Sequence, residues 1–182
     1  LAALLAESRF DQAVVGVELD NYYYSAASHI HLLAGLPQAH IVDATGLINW
    51  QRTIKSEQEL VYMRRAARIV EKMHDRILEL IEPGMRKNDL VAEVYHTSIA
   101  GTEEFGGDYP AIVPLMPTGV DASAAHITWD DKPFKSGEGT FFEIAGVHRR
   151  YHVPLCRSVF LGDPPKKMVD AEKALVEGLE AG

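Results

Sequence analysis

Thr140-Phe141-Phe142-Glu143-Ile144-Ala145-Gly146, followed by the run Leu155 to Leu161, is the stretch on which the fold turns. Both runs have strand length, and a region punctuated by Gly and Pro, with the short run Pro110-Ala111-Ile112-Val113, precedes them. The spacing therefore predicts extended chain after about residue 101. Upstream the period is helical. Ser56 to Ile81 carries Leu60, Met63, Ala67, Val70, Met73, Ile77 and Ile81 at steps of three and four or nearly so, which predicts an amphipathic helix with these residues inside. Ser56-Glu57-Gln58-Glu59 reads as its capping box, and Glu82-Pro83-Gly84-Met85 stops it. Asn88 then reads as the cap of a second helix from Asp89 to about Ala100, with Leu90, Val91, Val94, Tyr95 and Ile99 on its inner side.

Working outward, Leu1 to Arg9 is helix-like, Val14 to Glu18 is a β-branched run, Ser25 to Leu33 has helical spacing, and His40-Ile41-Val42-Asp43 is a short strand before a turn at Ala44-Thr45-Gly46. This β-α-β unit covers about fifty residues, too few for a doubly wound domain. At the other end, Lys166 onward forms a further amphipathic helix. Helices followed by a hairpin give an α+β class for the larger part.

Composition limits the function classes. Apolar residues make up 47% and charged residues 24% of 182 positions, an ordinary globular balance that excludes a disordered or collagen-like chain. The charge of −8 is interspersed, which argues against a nucleic-acid partner. The longest apolar stretches, Ala13 to Val17 and Phe141 to Val147, fall far below the roughly 20 residues of a membrane span, so no membrane partner is expected. Cys156 is the single cysteine; it permits no internal disulfide, reads as a small buried apolar residue, and fits a reducing cytoplasm. The chain starts at Leu1 and stops in helical sequence, so both ends read as cut, at odds with a length that suits one domain.

Asp121-Ala122-Ser123-Ala124-Ala125-His126 places a histidine in a small-residue loop upstream of the strand carrying Glu143. An imidazole and a carboxylate that converge support acid–base or covalent catalysis. A hydrogen-bonded loop histidine beside a solvent-facing carboxylate accounts for the same residues, and spacing leaves both open. Arg149-Arg150-Tyr151-His152 and Arg157 would keep a nearby carboxylate ionised, or form a solvated turn. His148 and His152 lie four apart on an extended segment, without the geometry of a helical pair of zinc ligands. His29 and His31 read as surface or capping residues.

Together these pieces resemble the creatinase/aminopeptidase-P ("pita-bread") family. Three segments carry the resemblance: Arg52 to Leu60 with Met63-Arg64-Arg65-Ala66-Ala67; Asp121 to His126 with Gly137-Glu138-Gly139; and Phe142 to Tyr151 with Arg157-Ser158-Val159-Phe160-Leu161-Gly162. The resemblance implies that residues 1–53 end a small α/β N-terminal domain and that 54–182 form the first half of a pita-bread catalytic domain. It also implies a homodimer, and further catalytic residues in a second half outside this chain, so that the segment alone would be inactive.

Aligned on Tyr151 and Arg157, the family's peptidase pattern puts Glu143 at its first metal-binding aspartate and Pro154 at the second, and proline offers a metal no lone pair. With Gly106-Gly107-Asp108-Tyr109-Pro110-Ala111, this departure points to the metal-independent ectoine-hydrolase branch. The resemblance then implies a small-molecule substrate, a cyclic amidine such as ectoine, opened at a C–N bond to an N-acetyl-diaminobutyrate. Glu143 would attack the amidine carbon or orient water onto it, and His126 would carry the proton. Asp108, Tyr109, Trp129, Tyr151 and Arg157 would bind the substrate, with no metal ligand and no cofactor. The competing implications are an Xaa-Pro dipeptidase or aminopeptidase using Mn, Co or Zn, and a non-catalytic pita-bread binding domain.

Overall fold

The computed structural model describes residues 1–182, which form two compact units, Leu1–Lys55 and Ser56–Gly182. In the first unit, helix α1 (Ala2–Glu7) leads to strand β1 (Val14–Val17), helix α2 (Ala26–Gly35) and strand β2 (His40–Asp43). The strands are parallel, with Val14 opposite His40 and Val17 opposite Asp43, and α2 supplies the crossover that a parallel pair requires. Ser25 caps α2 by accepting from the Ser28 N–H at 3.1 Å. A short helix α3 (Leu47–Gln51) follows, where sequence reading stopped at the turn.

The second unit starts with helix α4 (Glu57–Leu80). The capping box is formed: Ser56 N–H donates to Glu59 Oε2 at 2.7 Å, and Glu59 N–H donates to Ser56 Oγ at 3.4 Å. The buried stripe is Ala66, Ile69, Val70, Met73, His74 and Ile77. Leu60, Met63, Ala67 and Ile81, expected inside, are only partly buried, because helix and sheet meet most closely at Ala66 to Val70 and that contact sets the inward face.

Helix α5 (Lys87–Ala100) is capped at Arg86, two residues earlier than Asn88, which lies inside the helix. Arg86 instead grips Asp89 through Nε and Nη2 at 2.9 and 2.8 Å. Lys87 is buried, and its Nζ meets Asp130 Oδ1 at 2.8 Å. The inner face ends on Thr97 and Ser98, and Ile99 points outward. Small residues are needed there because the chain returns against the helix end, with Gly107 N–H donating to the Ile99 carbonyl at 3.1 Å.

The hairpin of strands β3 (Gly139–His148) and β4 (Tyr151–Phe160) is antiparallel and longer than the two sequence runs. Its two-residue turn, Arg149-Arg150, has φ of 51° and 69°. Alternation along the strands gives it two faces. Phe142, Ile144, Gly146 and His148, with their partners Arg157, Leu155, Val153 and Tyr151, form one face; Phe142 and Ile144 join Ile69, Val70, Met73 and Ile77 of α4 in the core. Glu143, Ala145 and Val147, with Cys156, Pro154 and His152, form the other.

No strand forms at Pro110–Val113. The amides around it are used elsewhere, Asp108 N–H on the Val147 carbonyl at 2.9 Å and Ala111 N–H on His152 Nε2 at 3.0 Å. The segment that pairs with β3 lies slightly later, with Leu115 opposite Glu143 and Thr118 opposite Thr140. Helix α6 (Lys166–Ala181) closes the chain. No helix is long and apolar enough to cross a membrane.

Two measurements check these assignments. A methyl added at Gly146 runs into the Ala66 carbonyl oxygen and stands 2.6 Å from the Val70 nitrogen. Gly146→Ala is expected to cost about 1–3 kcal/mol in urea unfolding, and an unchanged midpoint would contradict the close approach. Lys87 holds the Asp130 carboxyl at about 2, below its usual 3.8. A depressed acid stabilises the fold above its unfolded value and loses that contribution as pH falls through the folded one. The Tm difference between the native protein and Asp130→Asn should therefore close between about pH 4 and pH 2.

Candidate functional site

Glu143 sits at mid-strand on the hairpin face turned away from α4. Its N–H donates to the Leu115 carbonyl at 3.1 Å and its carbonyl accepts from Leu115 N–H at 3.0 Å, while Cys156 faces it on β4. The backbone is thus held on both sides, and the side chain stays 33% exposed. His126 arrives from a loop that follows a 3₁₀ turn at Gly119–Ser123 and adopts φ of 62°. Its Nε2 lies 3.9 Å from Glu143 Oε2, with the imidazole 70% exposed. That separation is too long for a direct hydrogen bond and leaves the facing atoms free to share a water or a reacting group. The arrangement suits proton transfer between a carboxylate and an imidazole.

The neighbours of Glu143 on this face decide what it can bind. Cys156 is exposed, not buried as expected, because the face carrying it is the one α4 does not cover. Its thiol is pushed up first by desolvation and then by the Glu143 charge, against a smaller opposing effect of Arg157, so it stands as a neutral thiol. Pro154, opposite Ala145, is the diagonal neighbour of Glu143 and carries no donor atom. No group of three or more His, Cys, Asp or Glu side chains converges here or elsewhere in the chain. The strand positions beside Glu143 offer a ring methylene and a thiol, so β3 and β4 present no second carboxylate to bridge a pair of divalent ions with Glu143.

The other expected site residues lie elsewhere. Asp108 and Tyr109 are together at the turn end of the hairpin: Asp108 Oδ2 accepts from Arg150 N–H at 3.2 Å, and the Arg150 guanidinium lies 4.0 Å above the Tyr109 ring. Tyr151 and Arg157 are on the face opposite Glu143, a correction that follows from the two-residue period once the turn falls at Arg149-Arg150. The Tyr151 hydroxyl donates to Glu59 Oε1 at 2.9 Å. Arg157 donates to the Cys156 carbonyl at 2.8 Å and, with His74 and Leu155, lines a cavity of about 330 Å³ between α4 and β4. Trp129 packs edge-on against Tyr95 of α5 at 6.4 Å and borders the core, because its indole covers the helix.

The sequence singles out no role for His74 and offers His148 only as half of an improbable metal pair with His152. His74 is buried, within 3.3 Å of the Leu155 carbonyl, and desolvation pulls it below its ordinary value. His148 is buried with Nδ1 3.1 Å from the Gly106 carbonyl and Nε2 3.3 Å from Arg65 Nη1. A carbonyl only accepts, so the proton belongs on Nδ1 and Nε2 accepts from Arg65. Its even-numbered place on the strand, in step with Phe142 and Ile144, was the available signal.

Metallopeptidase family M24 matches residues 61–182. The chain is 56% identical to the ectoine hydrolase of Halomonas elongata over 98% of its own length and 46% of that protein's. It is 37% identical to an uncharacterized hydrolase/peptidase of Sinorhizobium fredii over 99% of its length and 46% of that protein's. The chain thus spans about half the length of the curated relatives it matches. Among solved structures, the prolidase of Thermococcus sibiricus superposes with a TM-score of 0.82 at 19% identity, over 99% of this chain and 47% of that one. The expected α+β architecture, carrying part of a pita-bread catalytic domain, is the one observed. With its helix pair, hairpin and matched residues in this arrangement, the chain belongs to metallopeptidase family M24.

Proposed function

We propose that this chain is part of a hydrolase that opens a small cyclic amidine at a ring C–N bond, with ectoine as substrate and an N-acetyl-diaminobutyrate as product, and that it needs no divalent metal. The observation that carries the reading is the His126–Glu143 pair at 3.9 Å beside Pro154. The 56% identity to an ectoine hydrolase supports the substrate.

Glu143 directs oxygen to the amidine carbon, its own or that of a water it orients. The carboxylate attracts the cationic amidine and places its carbon next to the oxygen. One ring C–N bond then breaks, the departing nitrogen takes a proton through His126, and the former amidine carbon becomes the acyl carbon of the product amide. Water supplies the oxygen and the hydrogens gained, so the sum is a hydrolysis with no redox step. The half-exposed carboxylate and the more exposed imidazole let a small ring reach both groups.

The test is turnover by the protein expressed from its complete reading frame. Glu143→Gln, nearly isosteric and unable to accept the proton, should lower kcat for ectoine by about 10²- to 10⁴-fold. Ring opening at the native rate would remove Glu143 from the chemistry. His126→Ala should lose activity on the same scale, with KM changed less than kcat, as steady-state kinetics across substrate concentrations would show.

A further inference from the structure

We propose that Thr140 is a positioning residue for the His126–Glu143 pair and acts through the segment Leu115–Thr118; its effect on catalysis rests on the hydrolase reading above. That segment lies along β3 as a strap. At one end Leu115 exchanges two backbone hydrogen bonds with Glu143, at 3.0 and 3.1 Å. At the other end Thr118 faces Thr140. Between them stands Pro117, which has no N–H to give to the strand. Its carbonyl is taken instead by the Thr140 hydroxyl, which donates at 2.7 Å where both residues are buried.

The strap hands the chain on to the His126 loop. Gly119, at φ of 59°, reverses it directly after Thr118. The following bonds stay inside the loop: Asp121 N–H to the Thr118 carbonyl at 3.2 Å, Ala124 N–H to the Asp121 carbonyl at 3.1 Å, and the Ser123 hydroxyl to the Val120 carbonyl at 2.7 Å. A loop bonded mainly to itself takes its place over β3 from its anchor. Thr140 and Glu143 are three apart on one strand, so their side chains leave opposite faces and Thr140 does not share the Glu143 surface. Its influence on the pair therefore travels through Pro117 and Thr118. One strand in this way carries the carboxylate and fixes the platform of the imidazole.

The experiment compares Thr140→Val and Thr140→Ser with the native protein, expressed from the complete reading frame. Valine keeps the shape but leaves the Pro117 carbonyl buried without a partner; serine keeps the donor. The expected result is a fall in kcat per folded molecule of about 10- to 100-fold for valine, with KM within about twofold and serine restoring most of the rate. Native kcat in folded Thr140→Val would overturn the proposal, because a purely structural bond lowers Tm without this split. If valine prevents folding, Gly119→Ala tests the same anchor from its exposed side: the added methyl meets the Glu138 carboxylate at 3.2 Å in a strained backbone. The same kcat loss supports the proposal, and its absence overturns it. If the native protein leaves ectoine intact, the substrate reading fails on its own. Hydrogen exchange of amides 119–126 then decides: faster exchange in Thr140→Val than in the native chain supports the strap, and equal exchange overturns it.

Discussion

The close approach of β3 to α4 at Gly146 is the constraint on which the rest of the second unit depends. A glycine there lets the strand backbone lie against Ala66 and Val70, where any side chain would strike helix backbone. Once that contact is made, alternation assigns every other residue of the hairpin. Phe142 and Ile144 go to the helix and complete the core with Ile69, Met73 and Ile77. Glu143 goes to the opposite side with Ala145, Pro154 and Cys156. The position of the carboxylate is thus a consequence of packing on the other face.

The ends of the hairpin are held by polar contacts of a different kind. A two-residue turn suits left-handed residues such as Asn-Gly, and here two arginines occupy it at positive φ, a conformation that costs roughly 1–2 kcal/mol for a residue with a Cβ. Local bonds offset part of that cost: Asp108 accepts the Arg150 amide and Tyr109 receives its guanidinium. On the helix side, Tyr151 reaches the carboxylate that also closes the α4 capping box, and His148 bridges Arg65 to the Gly106 carbonyl. The N-terminus of α4, the loop before Asp108 and the turn are in this way tied into one frame.

Much of this was legible in the sequence where a local signal matched the final contact. The capping box at Ser56, the parallel strands at Val14 and His40, and the hairpin runs each report on their own neighbourhood, and the structure realises them. The convergence of His126 with Glu143 was one of two arrangements that the spacing left open, and the structure brings the two side chains to 3.9 Å. What escaped depends on register. Composition groups Tyr151 and Arg157 with Glu143, but with the turn at Arg149-Arg150 parity sends both to the helix side. Pro110–Val113 has the composition of a strand, yet the Ala111 amide serves the hairpin end, and the pairing falls to Leu115–Thr118, where Pro117 hid it. Asn88 is a good cap by type, but the chain enters α5 at Arg86, where Lys87 is drawn inside by Asp130.

The proposed site is a carboxylate and an imidazole brought together where the strand positions beside Glu143 offer no second carboxylate. Metal-free chemistry with this pair at its centre is the claim to be tested. The most direct measurement is ectoine ring opening by the protein from its complete reading frame after exhaustive chelation, with residual metal quantified in the same sample. Turnover at the native rate with metal far below one ion per chain is the result this account predicts. Loss of turnover on chelation, restored by stoichiometric Mn, Co or Zn, would contradict it.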